Sequence, residues 1–198
     1  MRWQAPVEPE EVAALRRRYG DFPVEEVTLE VGERFFEDAR TPLGKTRRGE
    51  ILAVVVGPDG RVLVHTKRFY PRGVFRLISG GIQVGEPVEE ALVREIREET
   101  GQEVRNRCFI GLIVYRILHG TAELHFASYV YRVDVPDLSI ASQDDAEEIS
   151  GFRWVPLEAL DEVRQQLLAV PPEWQDWGRF RAVGHAFVLR HAARCQLR

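Results

Sequence analysis

The sequence predicts an α/β protein: a mixed sheet with helices packed on it. Short apolar runs of strand character fill the middle of the chain, one amphipathic helical segment interrupts them, and further helical segments lie near both ends. Residues 8–20, EPEEVAALRRRYG, put Val12 and Leu15 at helical spacing, with Gly20 as the stop. Residues 22–31 read as extended. Residues 32–49 lack clear periodicity, and loop with some strand is expected there. Residues 50–70 hold two apolar runs around GPDG, a hairpin signal, and GVFRLISGG (73–81) is a third strand ending in glycines.

A helix over Pro87–Thr100 follows, with Pro87 suited to its first turn and Gly101 to its C-terminal stop. Residues 108–118 and 123–133 read as strands flanking HGTA. Residues 134–151 form a long polar loop, and FRWVPL returns to strand. PLEALDEVRQQLLAV (156–170) is an amphipathic helix, and after a Pro-Pro pair residues 173–195 form a second, basic helix. No internal repeat or low-complexity tract is visible.

With 198 residues, 44% hydrophobic and 29% charged, the chain suits one globular domain with decorated ends. Its net charge of −4 offers no overall field for a polyanion, so nucleic acid is not the expected partner. Cys108 and Cys195 stand in unrelated contexts with no CxxC pair. No disulfide is expected, which suits a reducing cytosol, and Cys108 in CFIGLIV reads as an inert core residue. The longest apolar run, ILAVVV (51–56), is far too short for a bilayer, and no basic-then-apolar leader opens the chain. A cytoplasmic protein without membrane contact is expected.

The segment GGIQVGEPVEEALVREIREETGQ (80–102) carries the chemistry. At about 100° per residue, Val88, Ala91, Leu92 and Ile96 share one face of the helix, and Glu95 and Glu99 fall inside that arc. Glu98 sits at its edge, whereas Glu89, Glu90 and Arg97 belong to a solvated side. Burying carboxylates without compensation costs several kcal/mol each, and like charges raise one another's pKa. A compensating cation is needed. Hard divalent ions such as Mg²⁺ or Mn²⁺ choose oxygen ligands and recruit phosphates to complete their shells. The glycines before the helix let backbone approach a ligand closely.

Gly80, five residues, Glu86, seven residues, then Arg94-Glu95-Ile96-Arg97-Glu98-Glu99-Thr100-Gly101 resembles the box of the Nudix hydrolases. Gln102 departs from its usual apolar last position. The resemblance implies a Nudix fold, an α/β/α arrangement with a mixed sheet sandwiched between helices. Residues 47–160 would form the catalytic domain, 1–46 an N-terminal extension, and 161–198 a C-terminal helical segment packed on it. It also implies a metal-dependent pyrophosphohydrolase acting on a nucleoside diphosphate linked to another group, such as a nucleotide sugar or a nucleoside triphosphate. Glu95, Glu98 and Glu99 would be metal ligands with the Gly80 carbonyl. Arg94 would orient a glutamate, and Glu86 and Gly101 would lock the box.

The general base is open between the box and the loop QDDAEEISGFRW, where Glu148 is the first choice and Glu147 the second, with Glu123 a third. Relatives often carry Glu-Leu-Pro where this chain has Arg76-Leu77-Ile78, so a metal-binding glutamate of the ADP-ribose-cleaving branch is missing. Arg76 is instead a candidate for a phosphate or for the nearby acids. In HTKRFYPRG (65–73), Lys67, Arg68, Arg72, Phe69 and Tyr70 mix cations and rings that suit phosphates and a base. Trp174 and Trp177 near Arg179 and Arg181 read mainly as packing, with a pocket lining or a homodimer interface as the sharper role. His119 and His125 read as structural. A catalytically silent nucleotide sensor is the alternative function, although sensors tend to lose box carboxylates and all are present here. An isopentenyl diphosphate isomerase would need a catalytic cysteine, and neither cysteine suits.

Overall fold

The computed structural model describes residues 7–43, 45–142 and 148–197. Helix α1 (Pro9–Tyr19) buries Val12 and Leu15 and ends at Gly20, whose φ of 74° suits glycine. Strand β1 (Val24–Glu30) follows. Residues 33–40, expected as loop, form a helix instead, α2 (Glu33–Arg40), which buries Phe36. Eight residues are too few to show a period. The legible signals were Glu33 in the first turn and Arg40 in the last, which suit the helix dipole.

Among the described residues seven strands make one sheet in the order β1-β5-β6-β2-β4-β3-β7. The remaining strands are β2 (Arg47–Val56), β3 (Val62–Lys67), β4 (Arg76–Gln83), β5 (Asn106–His119), β6 (Ala122–Asp134) and β7 (Ile149–Val155). The sheet is mixed: β1 runs parallel to β5 and β6 parallel to β2, while the other neighbours are antiparallel. The GPDG turn does join β2 to β3, but the two meet only at Val56 and Val62 before β4 fills the space between them.

Alternation along β2 shows why the sheet is a filling between helices. Ile51, Ala53 and Val55 pack with α1 and with α3 (Val88–Thr100), whereas Leu52, Val54 and Val56 pack with α2, α4 (Leu160–Leu168) and α5 (Gln175–His191). A strand covered on both faces reads as a continuous apolar run. The α/β/α expectation therefore holds.

The C-terminal helices are more broken than their periodicity suggests. A 3₁₀ turn over Leu157–Ala159 precedes α4, and others over Pro172–Trp174 and Ala192–Cys195 bracket α5. Helix α5 lies close on the sheet because Gly184 has no side chain; a Cβ there would fall 2.5 Å from a Leu52 methyl.

The expectation of unpaired cysteines is overturned. Cys108 on β5 and Cys195 after α5 form a disulfide across 87 residues of sequence, with Cα atoms 6.0 Å apart. Their separation hid the pairing: only the return of α5 along the sheet brings them together. Among the described residues no helix is long and apolar enough to cross a membrane.

Buried His185 links α5 to the sheet. Its Nδ1 faces the Arg181 carbonyl at 3.0 Å, and its Nε2 accepts the Leu77 amide at 3.2 Å, so the ring must be neutral with the proton on Nδ1. Burial pushes its pKa down to about 4. The unfolded chain then binds more protons than the folded one between pH 6.5 and about 4. Stability from this group is complete above pH 6.5 and is lost as pH falls through that window, on the order of 3 kcal/mol in all. Urea denaturation across the window should show this slope in the native chain and a markedly flatter one in His185→Gln. Equal slopes would assign the acid sensitivity to other groups.

Candidate active site

Helix α3 turns its carboxylates as the helical spacing requires. Glu95 and Glu99 are buried beside Val88, Ala91, Leu92 and Ile96, while Glu98 is part-exposed at the edge. Glu90 and Arg97 face solvent. Glu89 is less solvated than expected, because Arg18 and Arg107 pair with it.

Arg94 organises the cluster. Its Nε and Nη2 hold both oxygens of Glu86 at 2.8 and 2.9 Å, and Nη2 also reaches the Gly81 carbonyl at 2.9 Å. Its Nη1 donates to Glu95 at 2.8 Å and to Glu98 at 3.0 Å. One guanidinium thus ties the loop before the helix to two carboxylates on it, a use of the planar fork that lysine cannot reproduce. Glu86 accepts the Gln83 amide as well, and Arg94 beside it holds its carboxyl below the usual range. Gly101 closes the helix at φ 70°, in the left-handed region.

Gly80 explains how Glu95 can lie against the sheet. A Cβ at this position would sit 1.8 Å from Glu95 Cδ, so only glycine leaves the carboxylate its cradle on β4. Glu99 is fully buried, with Lys67 Nζ at 3.8 Å and His65 Nδ1 at 3.9 Å. Burial, aided by nearby Arg76 and Lys67, drives the His65 pKa well down.

The donor set suits a hard cation: carboxylate oxygens on one helix face and a backbone carbonyl at a strand position stripped of its side chain. Among the described residues, no three acidic, histidine or cysteine side chains converge as a finished cage. The cause is visible, since Arg94 draws Glu95 and Glu98 to itself.

Beside this helix a cleft of about 540 Å³ opens. Gly80, Gly81, Ser79 and Arg76 of β4 line it with Glu50 of β2 and Glu95. Phe35 of α2 closes one side, and Trp177, Phe180 and Arg181 of α5 another. Asp176 of α5 accepts the amide of Gly32 at the start of α2, at 2.7 Å, which ties these two walls together. Phe69, Tyr70, Trp174 and Trp177 form an aromatic group at the rim: Tyr70 and Trp177 centroids are 4.6 Å apart, and the Phe69 and Trp174 rings lie within 23° of parallel. The pocket-lining role for the two tryptophans is the one the geometry favours.

Of the other sequence candidates, Arg76 and Tyr70 line the cleft and touch each other, Arg76 Nε donating to the Tyr70 hydroxyl at 2.8 Å. Arg68 is exposed and lies outside the cleft lining; its amide donates to the Glu148 carbonyl at 2.9 Å. Glu148 is exposed, also outside the lining, and has a φ of 52°, rare for a residue with a side chain. Glu147 lies outside the described residues. Glu123 is exposed and bound to Arg116 at 2.8 Å and His125 at 3.0 Å. His119 faces the Val31 carbonyl at 3.0 Å. Sequence reasoning missed Glu50, Ser79 and Ser128, polar residues buried within strands, because their strands read only as apolar runs.

The NUDIX domain family matches residues 46–177, two thirds of the chain, and the protein belongs to that family. A "NAD-capped RNA hydrolase NudC" of Pseudomonas aeruginosa is 36% identical over 110 residues, which cover 56% of this chain and 36% of that protein. An "ADP-ribose pyrophosphatase" of Methanocaldococcus jannaschii is 34% identical over 99 residues, covering 50% of this chain and 57% of that one. The match therefore spans only a third to just over half of these relatives. Among solved structures, the E. coli dihydroneopterin triphosphate pyrophosphohydrolase aligns with 16% identity and a TM-score of 0.47, over 70% of this chain and 97% of that one.

Removing Arg94 leaves three carboxylates and the Gly81 carbonyl of β4 without their shared donor. Arg94→Ala should lose about 2–3 kcal/mol in urea denaturation, and Arg94→Lys should recover only part of it. Full recovery by lysine would show that charge alone, rather than the fork, holds the box.

Proposed function

We propose that the protein is a divalent-metal-dependent pyrophosphohydrolase that cleaves a nucleoside diphosphate linked to another group. The observation that carries this reading is the burial of Glu95 and Glu99 beside Glu98 on one face of α3, against a strand glycine. Nudix hydrolases generally use divalent metals, and the compounds in the relatives' names, NAD and ADP-ribose, share an adenosine diphosphate.

In this reading Glu95, Glu98, Glu99 and the Gly80 carbonyl hold Mg²⁺ or Mn²⁺, which when bound neutralises the pyrophosphate oxygens. The chain's own residues do the rest. Arg94 fixes Glu95 and Glu98 so that the carboxylates need little reorganisation. Arg76 meets a phosphate oxygen. The rings of Tyr70, Phe69 and Trp174 stack the base at the cleft rim, and the cleft's size suits a nucleotide-sized ligand. The general base comes from the box carboxylates or from Glu148, which lies outside the cleft lining beside Arg68, whose amide its carbonyl accepts.

Glu99→Gln keeps the side chain's volume and removes its charge. It should lower turnover of ADP-ribose and NAD under Mg²⁺ at least about 100-fold, with its melting temperature little changed and the native products assigned by mass. Undiminished hydrolysis in this variant would remove the carboxylate platform from the mechanism.

A further inference from the structure

Arg76 is 3% exposed, and its partners are all uncharged: the Tyr70 hydroxyl, the Leu77 carbonyl and the Ser79 hydroxyl, each at 2.8 Å. Among the described residues it makes no ion pair within 4 Å, and its Nη2 protons are committed to no protein acceptor. Arg181 of α5 arrives at the same point from the other wall. Its Nη1 donates to Ser79 Oγ at 3.0 Å and to Glu50 at 2.8 Å, and its Nε is buried without a partner among the described residues. Two guanidiniums therefore converge on one hydroxyl in the cleft lining, and only that of Arg181 is bonded to a carboxylate, Glu50. Glu50 is already engaged twice, since Ser128 donates to its other oxygen at 2.7 Å.

Glu99 and Glu50 act on Arg76 only from beyond ion-pair distance, so a buried cation whose direct ligands are all neutral is completed best by an anion in contact with it. A guanidinium fork matches phosphate oxygens best, and two forks with a hydroxyl between them suit a tetrahedral oxyanion. Ser79 precedes Gly80 on β4, so this polar knot and the carboxylate helix line the same cleft across one strand.

We propose that Arg181, with Arg76 and Ser79, forms an anion subsite for the substrate's second phosphoryl group, the one not presented to α3. The subsite rests on the pyrophosphohydrolase reading and adds to it a binding residue from the C-terminal helix, outside the box. Arg181 acts on affinity: it holds the phosphoryl group and leaves the chemical step to α3. Glu50 and Ser128 keep the Arg181 guanidinium turned toward the cleft.

The test uses the full chain and two readouts. Calorimetric titration with inorganic pyrophosphate and with ADP, in EDTA, should give binding that weakens about tenfold or more in Arg181→Gln. It should weaken as much in Glu50→Gln/Arg181→Gln, which removes the charge pair together and so guards against a folding defect. Arg181→Lys should restore part of the loss. With ADP-ribose and Mg²⁺, Arg181→Gln should raise KM by a similar factor and change kcat by less than about threefold. Native hydrolysis with unaltered KM and unaltered pyrophosphate binding in the folded variants overturns the subsite and leaves the hydrolase reading standing. Absence of native binding to both probes also overturns it. Arg181-dependent binding without turnover of any diphosphate retains the subsite and rejects the hydrolase.

Discussion

The structure depends on Arg94 neutralising carboxylates that the fold pulls out of water. Helix α3 must bury one face to seat against the sheet, and that face carries Glu95 and Glu99 among its aliphatic residues. Arg94 holds Glu95 and Glu98, and Lys67 lies 3.8 Å from Glu99; without these cations self-repulsion would favour a helix rotated or lifted from β4. Arg94 works by being planar and many-handed: it reaches Glu86, Glu95, Glu98 and the Gly81 carbonyl of β4 from one position. Loop, helix and strand are thereby fixed relative to each other. Gly80 is the steric half of the same arrangement, since the carboxylate occupies the volume a side chain would take.

The cleft is assembled from parts that are distant in sequence. Strands β2 and β4 supply its floor, α2 one wall, and α5 with the preceding 3₁₀ turn another. The hydrogen bond between Gly32 and Asp176 joins the two walls, and Gly184 lets α5 settle on Leu52. The residues on α3 are thus set by the family's box, while the surface a ligand's remaining atoms would meet is written in the flanking segments.

This division also explains what could be read from the sequence. The mixed sheet with packed helices, the α3 face and the stop at Gly101 were legible from local spacing over a few turns, whereas the α/β/α layering and the roles of Arg94 and Glu86 came only from the resemblance to the Nudix box. Helix α2 was not, since Phe35 and Phe36 side by side in eight residues give no period. The disulfide and the contact of Arg181 with Glu50 and Ser79 depend on where α5 returns along the sheet, which no local pattern encodes. Glu50, Ser79 and Ser128 were obscured for a different reason: in strands covered on both faces, an isolated polar residue reads as an interruption of an apolar run.

Strand β1 lies outside the matched region, yet it is hydrogen-bonded along β5 from Val24 to Glu30. Helix α1 adds Val12 and Leu15 to the core that α3 also packs against. A shortened protein cut at the family boundary would therefore bare the flank of a fourteen-residue strand, with a row of unsatisfied amides and carbonyls. Such a flank is a template for stacking with other copies. Where to trim this protein for expression is accordingly a question about sheet edges rather than about its box.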